Sequence, residues 1–333
     1  MNLQEMNPEK LLKISGSYWQ TSALHAGVKL DVFTIIGDKP AGVESVAAKL
    51  SADPRSLAML LDALAAMGLL EKKGATYANT PVSAAFLSKN SPRYIGFIIM
   101  HHYHLTESWI KLDRAVITGG PVRTRASFSD AEQREAFLMG MFNMAMSAAP
   151  RIVQAIDLSG RRRLLDLGGG PGTYAIHFCR ANPGLKAAVY DLAATRPFAE
   201  KTVARFNLQD RIQFMDGDYV GEERLKGSYD VAWLSHILHG EGPRTCRQII
   251  AKAVEKLEPG GLLVVHEFIL NNQKDGPLFP ALFSLNMLLG TDEGQAYSEN
   301  EIMDMLAGTG LKEIRRVPLD SPNDSGLIAG IVP

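Results

Sequence analysis

Only two cysteines, Cys179 and Cys246, occur in the 333 residues, and they lie far apart. A disulfide framework is therefore excluded. No charge of one sign dominates: 35 Lys and Arg face 36 Asp and Glu, a net charge of -1. That removes the broad electrostatic attraction behind binding to nucleic acid or an anionic membrane, while a local patch stays open. No stretch reaches the ~18 consecutive apolar residues needed to span a bilayer. The opening residues, MNLQEMNPEK, are polar and lack an apolar signal core. A cytoplasmic location with no membrane partner is the expectation. Internal repeats and low-complexity tracts are missing too. What is present is an ordinary globular composition, 46% hydrophobic and 21% charged, long enough for two domains.

The texture changes once, near the middle. Residues 8–110 read as helices with one short β segment. Apolar residues recur at helical spacing across 17–36. Two further helices are predicted at 43–50 and 53–70, with Asp53 or Ser51 as cap and Pro54 in the first turn. Two short extended runs around Gly74, within 69–81, read as a hairpin. Helix, turn, helix, hairpin is a winged-helix pattern, and it assigns residues 1–105 to one domain. A DNA-reading helix presents Arg, Lys, Asn or Gln to the groove. Here the second helix presents Ser56, Met59, Asp62, Ala65 and Met67, with Arg55 only at its start. Packing on protein is favoured over DNA reading. Residues 106–158 read as a helical connector lining the pocket, with helices at 101–117 and 131–157 and a turn-rich loop at 118–130.

From 162 onward, strands and helices alternate. Strands are predicted from Leu164, at 186–190, 211–218, 229–235 and 260–268, and late at 311–319 and 326–333. Helices fall at 173–181, 197–208, 243–257 and 298–310. This alternation predicts an α/β fold, a Rossmann-like doubly wound parallel sheet, over 106–333. No helix separates the last two strands, so one of them is expected to run antiparallel.

The chemistry-bearing segments fall at the expected strand ends. DLGGGPGTYA (166–175) follows the first strand, and its glycines let backbone approach a ligand closely. A nicotinamide fingerprint is G-x-G-x-x-G. Thr173 stands at the third glycine, and Pro171 removes an amide donor that a pyrophosphate would want. The loop suits a ligand without phosphates, which disfavours a nicotinamide dehydrogenase. Asp191 closes the second strand, where a carboxylate can accept both hydroxyls of a ribose; a cap or solvated acid is the bland alternative. Asp218 suits an adenine amino group or merely shapes a turn. HILHGEG (236–242) puts two histidines at the ligand-binding rim, where an imidazole makes a good general base. His101, His102 and His104 read as a solvated or interface helix face rather than a metal site, and both cysteines as packing.

These segments together resemble the S-adenosylmethionine-dependent small-molecule O-methyltransferases, the family of plant phenolic and bacterial polyketide-type enzymes. The resemblance covers nearly the whole chain. It implies an N-terminal winged-helix dimerisation domain, a homodimer, and a cofactor site made by Asp166, Gly168, Gly170, Gly172, Asp191, Leu192, Gly217, Asp218, Tyr219 and Ser235. In the family a catalytic histidine lies seven residues before a cysteine, in a segment like W-x-x-H-D-W-x-x-x-x-C. His239 and Cys246 match; His236 stands at the tryptophan and Gly240 at the aspartate. A supporting glutamate on the next strand corresponds to Glu267. The second flanking glutamate is expected in a segment that reads GQAYSENE here, with Ala296 in its place. FNMAM (142–146) resembles the acceptor-lining helix, which points to Phe142 and Met146; His236 and Asn286 complete the acceptor set. The implied reaction moves a methyl group to a hydroxyl of a small aromatic acceptor, with no metal and no nucleic acid. Methylation of nitrogen or carbon by a family relative is the alternative.

Overall fold

The computed structural model describes residues 6–125, 130–221, 224–321 and 323–333. Part of the loop expected at 118–130 falls outside them. The chain divides into two compact units, Met1–Leu105 with Glu135–Asn143, and Thr106–Arg134 with Met144–Pro333.

The first unit begins with α1 (Pro8–Gly16), α2 (Tyr18–Lys29) and α3 (Val32–Ile36). The single helix expected over 17–36 is broken, because Asp31 takes a left-handed backbone (φ 58°) that no helix continues through. Next come β1 (Ala41–Gly42), α4 (Val43–Leu50), α5 (Pro54–Ala66), β2 (Leu70–Lys73), β3 (Thr76–Asn79) and α6 (Pro81–Phe86). Asp53 caps α5 by accepting the Ser56 N–H at 2.8 Å, with Pro54 in the first turn as expected. The predicted hairpin is β2–β3, and β1 adds a third strand beside β3. Leu57, Leu61 and Leu64, at i, i+4 and i+7 of α5, form its buried stripe.

Helix α7 (Gly96–Trp109) crosses the boundary in the chain and α8 (Leu112–Thr118) follows, where one helix over 101–117 was expected. The 25-residue α9 (Ala131–Ala155) also belongs to both units along its length. Among the described residues it is the one helix long and apolar enough to cross a membrane, which a search for consecutive apolar residues passes over. Ala149 and Ile152, near its end, are buried in the sheet core.

The second unit is built on β4 (Arg163–Leu167), α10 (Thr173–Ala181), β5 (Lys186–Asp191), α11 (Arg196–Arg205), β6 (Ile212–Asp216), β7 (Tyr229–Ser235), α12 (Pro243–Glu255) and β8 (Leu257–Leu270). After these come α13 (Leu278–Gly290), β9 (Tyr297–Ser298), α14 (Glu299–Ala307), β10 (Lys312–Val317) and β11 (Ser325–Ile331). The strand order is β10-β11-β8-β7-β4-β5-β6, with β9 paired to the end of β8. Strands β4 to β8 are mutually parallel, and β11 runs antiparallel to both β8 and β10. From β4 the chain winds outward through β5 and β6, then returns to the other side of β4 as β7 and β8. That reversal is a topological switch point, where the carboxyl ends of the strands open a ligand crevice. Strand alternation sorts the core into two layers. Leu165, Leu167, Leu234 and Val265 face one side; Leu164, Val231, Trp233 and Val264 face the other. Burying each such side chain stabilises the fold by roughly 1.5–3 kcal/mol.

Candidate active site

At the end of β4 the backbone turns through Gly168, Gly170 and Gly172, all at positive φ. A Cβ on Gly168 would meet Ile237 at 2.5 Å and Tyr219 at 3.1 Å, and one on Gly169 would lie 2.6 Å from the Asp166 carboxyl carbon. At Gly170 nothing stands within 4 Å, so the loop opens there. Gly172 is the N-cap of α10 and brings no capping side chain; the Ala175 N–H of the first turn donates to Asp166 Oδ2 at 3.3 Å instead. Asp166 is 1% exposed, and its Oδ1 has no partner among the described residues. Burial pushes its carboxyl up to about 7, against the pull of the Ala175 N–H. A buried acceptor without a donor, under a glycine cradle, fits a ligand that brings its own hydrogen-bond donors or positive charge.

Asp191 ends β5 beside this loop. Its Oδ2 accepts the Gly170 N–H at 2.8 Å, and its Oδ1 accepts the Leu192 N–H at 2.7 Å and the Thr195 hydroxyl at 3.3 Å. Burial raises its carboxyl, opposed by these same donors. With one donor on it, Oδ2 keeps further acceptor capacity. Gly217 follows β6 and donates its N–H to the Asp191 carbonyl at 3.0 Å. Tyr219 packs against Gly168. Asp218 is exposed and accepts the Val220 N–H at 2.9 Å, an acid that shapes its own turn.

Beyond Ser235, the last residue of β7, His236 adopts a left-handed backbone (φ 56°). This is a strained conformation for a residue other than glycine. It tips the chain into the short turn Leu238–Gly240, which brings His239 back over the sheet edge. Cys246 secures that turn by donating its thiol to the Leu238 carbonyl at 3.1 Å. Glu267, only 2% exposed on β8, lies directly beneath. Its Oε1 accepts the Leu238 N–H at 2.9 Å and the His239 N–H at 3.3 Å; its Oε2 is 2.7 Å from His239 Nδ1. Burial alone would raise this carboxyl, yet attraction to His239 and the contacts with both histidines outweigh it and hold it well below the usual carboxylate range. His236 Nδ1 lies 3.6 Å from the same oxygen, without a hydrogen-bond partner among the described residues. Burial lowers the His236 imidazole despite Glu267. His236, His239 and Glu267 are close enough to share a metal ion, a cluster that the sequence reading did not anticipate. The 2.7 Å contact is itself a charge-assisted hydrogen-bond geometry.

An aromatic wall adjoins the pair. Phe283 meets His239 edge-on at 4.7 Å, and Phe268 lies 4.6 Å from Phe283 and 4.9 Å from Phe279 between ring centroids. His236 packs 4.3 Å from Phe268. The sequence reading did not single out these phenylalanines, although Phe279 and Phe283 stand four residues apart on α13. It also missed Arg123, which donates to the Asn286 carbonyl and to Asn286 Oδ1, both at 3.1 Å. Asn286 is thus held by an arginine from the turn-rich loop. Arg125, from the same loop, pairs with Glu241 at 2.6 Å. Met146 touches His177 Nε2 through its sulfur at 3.3 Å. Phe142 is buried and belongs to the first unit. Ala296 is buried, so no carboxylate stands at the place expected for a second glutamate.

Comparison with known proteins matches residues 114–312 to an O-methyltransferase domain and residues 12–89 to an O-methyltransferase dimerisation domain. The 3-hydroxy-5-methyl-1-naphthoate 3-O-methyltransferase of Streptomyces sahachiroi is 32% identical over 97% of this chain and 95% of its own length. The N,N-dimethyltransferase OxyT of Streptomyces rimosus is 27% identical over 97% of this chain and 96% of its own. Human N-acetylserotonin methyltransferase, solved in complex with S-adenosylmethionine, superimposes with a TM-score of 0.87 at 25% identity, covering 100% of this chain and 99% of that one. With the glycine cradle, the orphaned acid and the rim histidines in place, the chain belongs to the S-adenosylmethionine-dependent O-methyltransferase family.

Proposed function

We propose that the enzyme methylates a hydroxyl of a small aromatic acceptor, with His239 as general base and Glu267 as the group that orients it. The observation that carries this reading is the 2.7 Å contact between His239 Nδ1 and Glu267 Oε2. A carboxylate accepts the Nδ1 proton, so the Nε2 lone pair is the one left for the acceptor. Bound S-adenosylmethionine supplies an activated methyl carbon. The chain's own work is alignment, exclusion of water and removal of one proton. Asp166, the 168–172 loop, Asp191, Leu192, Gly217, Asp218, Tyr219 and Ser235 would hold the cofactor. Phe268, Phe279 and Phe283 offer flat apolar faces to an aromatic ring. The naphthoate-methylating relative supports such an acceptor, and the N,N-dimethyltransferase relative makes amines the second class to try. Screening phenols, naphthols and aromatic amines with radiolabelled cofactor tests the reading. Label transfer to amines with none to hydroxyls would defeat it.

The same proposal includes a homodimer built on a winged-helix-like N-terminal unit. Leu11, Leu12, Ile14, Tyr18 and Trp19 of α1 and α2 are all more than half exposed. Large apolar side chains exposed in this number call for a partner surface. A cytoplasmic enzyme without nucleic-acid or membrane partners completes the reading.

A further inference from the structure

His266 is a fully buried histidine that the proposed chemistry leaves unused. It adjoins Glu267 on β8, but neighbouring residues of a strand face opposite sides. Glu267 meets His239. His266 lies on the other face, its ring 5.6 Å from those of both Tyr174 and Trp233. His266 Nδ1 is 2.9 Å from Ser235 Oγ, and Nε2 is 3.1 Å from Ser325 Oγ. Ser325 Oγ is 2.7 Å from Ser321 Oγ, and Ser321 donates to Asn323 Oδ1 at 2.6 Å.

Each hydroxyl in this chain has one proton to give. The Ser321 proton goes to Asn323, so Ser325 must donate to Ser321. Ser325 then has only lone pairs for the ring, and His266 donates Nε2–H to it. Nδ1 is left as a bare acceptor, and the Ser235 proton turns inward to meet it. Burial, with His236 alongside, holds this imidazole well below its ordinary pKa and so keeps it neutral, as the proton count requires. Ser235, half-buried at the carboxyl end of β7 and also hydrogen-bonded to the Tyr174 hydroxyl, therefore keeps only lone pairs for its other partners.

We propose that His266 is a positioning residue that fixes the Ser235 hydroxyl as a hydrogen-bond acceptor toward the cationic cofactor. This rests on the placement of Ser235 in the cofactor site. The sulfonium and ammonium groups of that cofactor reward acceptor oxygens, and its carboxylate would draw its donors from elsewhere in the site.

The first measurement needs no turnover. In the free protein, NMR of 15N-labelled histidine should show His266 protonated at Nε2 and bare at Nδ1. The Nδ1–H tautomer would overturn the hydrogen-bond chain. Calorimetry then reads S-adenosylmethionine affinity. His266→Leu should bind about tenfold more weakly, the order of one lost hydrogen bond to a charged group. His266→Asn, which keeps an amide oxygen near the Nδ1 position, should recover most of that loss. A folded His266→Leu with full cofactor affinity refutes the proposal. Should that variant not fold, Ser325→Ala removes the Nε2 partner from a residue remote from the cofactor, and a several-fold weaker affinity is expected; unchanged affinity with an unchanged tautomer is again a refutation. Ser235→Ala separates the two layers. Full affinity there overturns the proposal through the cofactor-site reading, even with the Nε2–H tautomer intact.

Discussion

Replacing Glu267 by Gln exchanges one carboxylate oxygen for an NH2 group and changes almost no volume, yet it should disable the base. Oε1 of the carboxylate takes the N–H groups of Leu238 and His239, and Oε2 faces His239 Nδ1 at 2.7 Å. In Glu267→Gln the amide oxygen can keep both backbone donors, which leaves the NH2 group facing Nδ1. Two donors cannot share a hydrogen bond, so the imidazole moves its proton to Nε2. The lone pair then points at the amide rather than at the acceptor. The whole general-base contribution is at stake, ~10²–10⁴ in kcat, or about 3–5 kcal/mol of barrier. Because the turn Leu238–Gly240 keeps its backbone anchors, cofactor affinity should change less than threefold. Initial rates with saturating cofactor and acceptor give kcat, and circular dichroism with product-binding calorimetry confirms an intact fold. A folded Glu267→Gln enzyme turning over within threefold of wild type between pH 6 and 9 would refute the orientation argument.

Other expectations follow from the same geometry. His239→Ala should lose ~10²–10⁴ in kcat, whereas His236→Ala should mainly raise the acceptor KM; equal kcat losses in both would mean that the two rings share the base role. Asp191→Ala should weaken cofactor binding roughly 10–100-fold by calorimetry, since a charged acceptor is lost and the Gly170 N–H is freed with it; unchanged affinity would remove Asp191 from the site. Glu267 is held below its unfolded pKa, so its stabilisation is complete above that value and is lost as pH falls through the lower folded one. Wild-type melting temperature should therefore drop more steeply than that of Glu267→Gln below roughly pH 4, and parallel curves would contradict this. Light scattering should show a dimer that Leu12→Glu with Trp19→Glu converts to monomer, and an unaffected dimer would place the interface elsewhere.

The sheet was legible because its strands are mostly short apolar runs punctuated by glycine, proline and acid, and because helices of 9, 10 and 13 residues follow β4, β5 and β7. The antiparallel end was legible from the missing helix between β10 and β11. Helix α13 was not: LFPALFSLNMLLG is apolar on every side, so it carries no amphipathic period to separate it from a buried strand. The break at Asp31 was hidden for the opposite reason, since apolar spacing continues through a residue whose backbone leaves the helix. Site residues on strand ends could be placed from sequence because topology alone takes them to the crevice. Arg123 and Arg125 could not, because their partners Asn286 and Glu241 lie more than a hundred residues away and the loop offers no periodicity. The direction of the His236 ring was equally hidden, being decided by a positive φ that histidine rarely adopts.

The missing second glutamate bears on how much the base needs. An imidazole has two ring nitrogens, and catalysis requires one of them to face the acceptor. A single carboxylate on Nδ1 already fixes both ring orientation and tautomer, and Glu267 does so while anchored by two backbone N–H groups of the very turn that carries His239. A further carboxylate could reach only Nε2, the atom that must stay free, or the acceptor itself. Ala296, buried beside a Ser284 hydroxyl that accepts its N–H at 2.9 Å, supplies no such group. Phe283 covers His239 edge-on instead. On the proposed mechanism the loss would therefore fall on handling of the acceptor and not on the base, with the apolar wall of Phe268, Phe279 and Phe283 taking over its alignment. A ring held by apolar faces is aligned by shape, so acceptor size and planarity should govern KM more strongly in this enzyme than the polarity of ring substituents.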